Sequence, residues 1–319
     1  MYTMMKMKNI FLGVLTVATL SMSAQQVALN SQYMFNEFSF NPAVAGTKNF
    51  APLTFSFRRQ WMGINEAPVT QNLSFHSFIG KNTGAGVQLY NDVSGPTRRT
   101  GLSGTFSYAI KTSESTKLSF GLSASLTQFM MDRDKMNTEI PDDIAVQNNT
   151  FNELIPDFNF GVYWYGERHF VGVSGYNLLQ SNDDLFDLTT NVTNTLDRVL
   201  FAHAGYLFPI GSSFAIEPSV MTRYMFNSPF SLDGNIRFIL KDQYWLGASY
   251  RLDDAVSIMI GADLGVMELG YSYDLGMSNL ATYNTGSHEI FLTAKLNKGT
   301  KNRSPWHKRN RIYSSFSKN

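Results

Sequence analysis

Residues able to do acid–base or nucleophilic chemistry are sparse and scattered in this chain. Its five histidines are His76, His169, His203, His288 and His307. A hydrolase needs a serine or another nucleophile held against such a base, and none of the five stands in a recognisable nucleophile motif. The run His288-Glu289-Ile290-Phe291-Leu292 lacks the second histidine of a zinc helix and sits in a strand-like context. There is no cysteine, which excludes disulfides, thiol chemistry, Cys-ligated metal and lipidation of an N-terminal cysteine. Residues 129–156 are acidic but lack the Asp spacing of a calcium loop. Gly84 and Gly86 suit a tight turn and close strand packing. No catalytic residue, cofactor or metal is expected, and the chain does not read as an enzyme.

A larger set of charges lies inside otherwise apolar stretches: Arg58, Glu217, Arg223, Asp233 and Arg237, then Arg251, Asp263, Glu268, Glu289 and Lys295. The elements that position them alternate strictly. "KLSFGLSASLTQF" puts Leu118, Phe120, Leu122, Ala124 and Leu126 on one face and Ser119, Gly121, Ser123, Ser125 and Thr127 on the other. "PFSLDGNIRFIL" sets Phe230, Leu232, Ile236 and Phe238 against Asp233, Asn235 and Arg237. Such alternation marks strands with one face buried. Lipid on the apolar side and a lumen on the charged side would produce it, although a water-facing sandwich alternates too. Mixed signs at this density suggest an ion-paired, plugged lumen, not a single-sign selectivity ring.

Composition favours the membrane. Only 16% of the 319 residues are charged, against an average of about a quarter, and 14% are aromatic. A net charge of +1 gives no reason to expect nucleic acid as a partner. Residues 1–24 resemble a secretory signal peptide: Lys6 and Lys8 precede a short apolar core from Ile10 to Leu20, and small residues lead to a cleavage site after Ala24. That core falls short of the roughly 20 residues a spanning helix needs, so any membrane crossing must be made by strands.

About fourteen strand candidates follow Ala51, most near the length of a tilted membrane-crossing strand. Gaps after even-numbered strands are short, such as "KNT", "GER" and "KDQ". The long gaps (61–69, 92–100, 129–156, 176–198 and 275–286) all follow odd-numbered strands. An up-and-down barrel puts the two sets at opposite ends, with short periplasmic turns and longer outer loops. The expected fold is therefore an all-β, transmembrane, up-and-down antiparallel barrel of about 14 strands. Its expected parts are a signal peptide (1–24), a periplasmic N-terminal segment (25–50), the barrel (51–297) and a basic periplasmic tail (298–319). An even strand count leaves both termini in the periplasm.

Between the first two strand candidates lies a cluster of distinctive residues, "RRQWMGINEAP". Together with "YMFNEFSFNPAVAGT" before it, "GAGVQLYNDVSGPTRRTGLSGTFSYAI" after it and "GSHEIFL" near the end, it resembles the PorP/SprF family of Bacteroidetes. The joint pattern is Asn41-Pro42-Ala43, Gly46, Arg59-Gln60-Trp61, Ala67-Pro68, Thr70 and Asp92-Gly95, departing from the commoner pattern at Met62–Glu66 and in the tail past Asn297. The resemblance implies a non-enzymatic outer-membrane protein of the type IX secretion and gliding apparatus. It would support export or surface attachment of a large adhesin, binding the adhesin or its C-terminal secretion-signal domain, with other secretion components and lipid as further partners. Arg59, Gln60, Trp61, Gly63, Ala67, Pro68 and Thr70 are the candidate partner-binding residues, with Trp61 also placed to anchor at the membrane interface. The competing expectation is a transport barrel, either a porin or a hydrophobic-solute channel. A lipid-modifying enzyme is a remote third.

Overall fold

The computed structural model describes residues 31–132, 151–180, 197–225, 228, 230–277 and 279–296. Its strands are β1 (Ala51–Arg59), β2 (Val69–Gly80), β3 (Thr83–Ser94), β4 (Thr97–Lys111) and β5 (Thr116–Met131). They continue with β6 (Phe151–Gly166), β7 (His169–Tyr176), β8 (Val199–Tyr206), β9 (Phe208–Ile210) and β10 (Phe214–Met225). The last are β11 (Ser231–Leu240), β12 (Tyr244–Arg251), β13 (Ala255–Asp263), β14 (Met267–Gly276) and β15 (Ser287–Leu296). Every pairing is antiparallel, and β1 pairs with both β2 and β15, so the sheet closes on itself. β8 and β9 pair with successive parts of β10. They form one wall strand broken at Leu207, whose side chain is buried. Counted that way the wall has fourteen strands. No helix among the described residues is long and apolar enough to cross a membrane.

The two faces of the wall invert the pattern of a soluble protein. Leu122 is 54% exposed, whereas Ser123 beside it is 3% exposed. Leu102, Phe106 and Tyr108 on β4 likewise face out, while Thr105 and Ser107 face in. An apolar exterior needs a hydrocarbon solvent to be stable, as in outer-membrane-type barrels.

The long connections share one end as the sequence suggested, alongside short turns at 95–96 and 252–254. One end carries turns 81–82, 112–115, 167–168, 211–213, 241–243 and 264–266; the other carries 60–68, 177–198 and 277–286. Two expectations change. The gap read at 92–100 shrinks to Gly95-Pro96, because β3 and β4 stay paired to Ser94↔Thr97 and the Thr97 hydroxyl donates to the Ser94 carbonyl at 2.8 Å. β5 and β6 stay paired out to Met131↔Phe151, so the ends of the long acidic gap are strand. Its middle, residues 133–150, lies outside the described residues, as do the segments read as signal peptide and basic tail.

A third correction concerns residues 25–50, expected as a separate periplasmic segment. Residues 31–50 sit inside the barrel, nearly all buried. They fold as three short 3-10 turns, Tyr33–Phe35, Glu37–Ser39 and Pro42–Val44. The last is capped by Asn41, whose Oδ1 accepts from the Ala43 N–H at 3.0 Å, with Pro42 at its first position.

Candidate functional site

Residues 31–50 form a plug, and the wall is shaped to hold them. Gly84, Gly121 and Gly161 leave the space it occupies. A Cβ on Gly121 would overlap the backbone of Pro42 and Ala43, and one on Gly84 would overlap the Ala45 carbonyl. On the plug side Gly46 has φ +70° and lies so close to β3 that a Cβ would come within 2.7 Å of Gly84 Cα. Buried backbone groups need partners, and wall side chains supply them. Ser107 Oγ donates to the Ala45 carbonyl at 2.7 Å, and Ser174 Oγ to the Phe40 carbonyl at 2.5 Å. His76 Nδ1 accepts from the Gly46 N–H at 3.1 Å. Asn41 Nδ2 donates to the Val162 carbonyl and lies 3.2 Å from His203 Nε2. His76 and His203, examined as possible bases, therefore meet the plug.

Charge fixes the start of the plug. Arg58 Nη1 lies 2.7 Å from Asp274 Oδ2 and 3.1 Å from Glu289 Oε2. Ser31 joins them: its N–H donates to Glu289 at 2.7 Å, and its hydroxyl donates to Asp274 at 2.5 Å. Arg58 in turn donates to the Ser31 hydroxyl at 2.6 Å. Lower in the lumen Phe35 stacks on Phe291 and lies tilted against Trp245, with ring centres 4.4 and 4.3 Å away, and Arg237 caps its ring while pairing with Glu217 at 3.0 Å. Arg251 binds Asp233 through Nε at 3.1 Å, and Lys295 pairs with Asp263 and Glu268. The mixed inward charges do pair. What the sequence reading missed is that the chain's own N-terminal segment completes the filling.

The plug divides the remaining space. A cavity of about 80 Å³ lies toward the short turns, where Glu167, Asp242, Asp263 and Lys295 border it beside plug residue Glu37. Burial, then the neighbouring Asp263 charge, pushes the Asp242 carboxyl in the β11–β12 turn up to about 6. A larger cavity of about 160 Å³ faces the long-loop end, with Tyr33, Ser39 and Phe40 of the plug on its inner side.

At that same end the structure spreads the candidate residues over three surfaces. Arg59, the last residue of β1, is exposed on the outward row that includes Leu53 and Phe55, in register with His288. Thr70 turns inward, is buried, and donates to Asp92 Oδ1 at 2.5 Å. The rest build a rim. The Gln60 N–H donates to the Pro68 carbonyl at 2.9 Å, closing the loop on which Ala67 is half-buried. Trp61 is half-buried at φ +45°, an uncommon conformation for a bulky residue, and its N–H donates to Ser287 Oγ at 3.1 Å. Gly63 is exposed with φ +101°. Met62 exchanges backbone hydrogen bonds with the 277–286 loop, donating to Gly286 and accepting from Thr285, while Glu66 accepts from Gly95. The "RRQWMGINEAP" stretch thus ties two neighbouring connections into one ordered edge.

A closed, lipid-facing barrel filled by its own N-terminal segment defines a membrane protein of the outer-membrane type. The chain belongs to the PorP/SprF family of type IX secretion system membrane proteins, which matches it over residues 22–294. No curated protein matches it. Among solved structures it is similar to a Pseudomonas aeruginosa FadL homologue, with 10% identity over 81% of this chain and 93% of that one and a TM-score of 0.49. It is also similar to the Ralstonia pickettii toluene transporter TbuX, with 9% identity, 87% and 97% coverage and a TM-score of 0.48. The CymD monoaromatic hydrocarbon channel gives 12%, 86%, 95% and 0.47 in the same order.

Proposed function

We propose that this protein is a plugged docking barrel of the type IX secretion system in the outer membrane. It supports export or surface attachment of a large adhesin and performs no chemistry itself. In this reading the long-loop end faces outward and meets the adhesin or its C-terminal secretion-signal domain, and the short turns and the chain's end face the periplasm. One observation carries the proposal: residues 31–50 fill the lumen and are bound to the wall by the buried Arg58–Asp274–Glu289 cluster. An open porin needs a continuous aqueous path, and these residues stand in it. Family membership supports a place beside other secretion components.

The test is a deletion strain. Loss of one large surface protein with general secretion intact marks a cargo-specific partner, and loss of both marks a core member. Normal surface proteins with altered solute uptake would replace this reading with transport. Complementation with Trp61→Ala should leave the barrel folded and weaken partner co-purification if the rim is the docking edge, since an anchor of this type often costs over about 2 kcal/mol when truncated.

A further inference from the structure

We infer that the cavity at the long-loop end is a peptide vestibule. It takes a short extended polypeptide segment of a partner protein, with an apolar side chain on its floor and backbone amides against its walls. This rests on the docking function proposed above and names the part of the partner that the barrel holds.

Three features select the ligand class. The floor is apolar, built from Phe40 of the plug with Phe201 and Met221 of the wall. The walls carry the amides Asn72, Gln88 and Asn159 among hydroxyl side chains such as Ser103, Ser125 and Thr127. Asn72 is 7% exposed, and its Oδ1 has no hydrogen-bond partner among the described residues. A buried acceptor left over in this way gains from a donor brought to it, and a peptide N–H is one. A hydrocarbon solute would fill the floor and strand those amides, which discriminates strongly against it. The third feature is the rim. Asp92 and Arg99 stand opposite each other in register on β3 and β4. Arg99 lies 5.4 Å over the Phe129 ring and makes no ion pair among the described residues. One charge of each sign suits a polypeptide better than a uniformly anionic glycan or lipid headgroup. A closed barrel offers no free strand edge for backbone pairing, so side-chain amides must read the backbone.

The experiment uses the full-length protein in native outer membranes. A benzophenone amino acid at Gln88 probes the cavity, and one at Leu102, which faces outward, serves as control. Ser103→Trp with Ser125→Trp fills the cavity, and Asn72→Leu removes the orphaned acceptor in case the filled variant does not fold. Folding is read from heat-modifiable migration on gels. The expected result is a Gln88 crosslink mapped by mass spectrometry to one segment of the co-purifying partner, absent at Leu102. Partner recovery should fall at least tenfold in the filled variant and severalfold in Asn72→Leu. Full recovery with a folded, filled barrel would overturn the vestibule while leaving the docking function standing. So would a Gln88 crosslink to a glycan or to this chain's own residues. If the wild-type barrel brings down no surface protein at all, the docking function fails and the vestibule with it.

Discussion

Arg58→Met removes the charge that fixes the plug while keeping a side chain of similar reach. Arg58 Nη1 lies 2.7 and 3.1 Å from the two carboxylates, and all three residues are at most 2% exposed. At an effective dielectric constant near 20, unit charges about 3 Å apart attract by roughly 5–6 kcal/mol. Desolvation of the ions offsets much of that. Removing the cation alone leaves Asp274 and Glu289 buried without their counter-charge. The expected loss is therefore that of a broken buried pair, about 3–5 kcal/mol. Urea unfolding of the bilayer-reconstituted barrel, followed by tryptophan fluorescence, measures it. Hydrogen exchange at the Ser31 and Gln32 amides, which face Glu289, should accelerate in parallel. Adding Asp274→Asn and Glu289→Gln to Arg58→Met should recover more than half the loss, since no ion is then left unpaired. A change below about 0.5 kcal/mol, the range of ordinary surface substitutions, would refute the reasoning. So would a triple variant no better than the single one.

Other perturbations probe the wall and its orientation. Phe120→Arg places a charge on the outward face of β5 and should cost roughly 2–4 kcal/mol in bilayer refolding; tolerance equal to that of a loop substitution would show the face assignment to be wrong. Asp242 keeps its proton to about pH 6, well above the ordinary aspartate range, so the folded barrel loses stability as pH rises from that range to about 6. Asp242→Asn should then raise the unfolding midpoint at pH 7 and leave it unchanged at pH 3.5, and the reverse pattern would contradict the shift. Because the chain has no cysteine, Asn65→Cys and Ser113→Cys report topology cleanly. On intact cells the first should react with an impermeant maleimide and the second should not.

The barrel was largely legible because its evidence is local and repeated. Alternation in stretches such as Leu118–Leu126 depends on a period of two, and sorting of loop lengths needs no tertiary information. Strand ends were harder: Arg98 and Asn91 look like loop residues, yet Arg98 Nε donates to Asn91 Oδ1 at 2.8 Å across paired strands. The plug was illegible as such because short 3-10 turns carry no periodic signal. A trace was present, since residues 31–47 hold a single charge, Glu37, amid four phenylalanine and tyrosine side chains and Met34. A solvated segment would be more polar than that. Arg58 was correctly read as inward, but its tie to Ser31 spans 27 positions and that of Glu289 to Ser31 spans 258. No pattern along the chain encodes such pairs. Of the candidate docking residues, adjacency in sequence grouped Arg59 and Thr70 with Trp61, while strand alternation sends one to lipid and the other to the lumen.

Planar-bilayer recording of the purified full-length barrel, beside a variant lacking residues 31–49, tests the central claim most directly. A barrel sealed by its own N-terminal segment should be silent, and the shortened barrel, where it refolds, should show steady open conductance. Stable channels of equal size from both proteins would mean that residues 31–50 do not close the lumen, and the docking function would give way to transport.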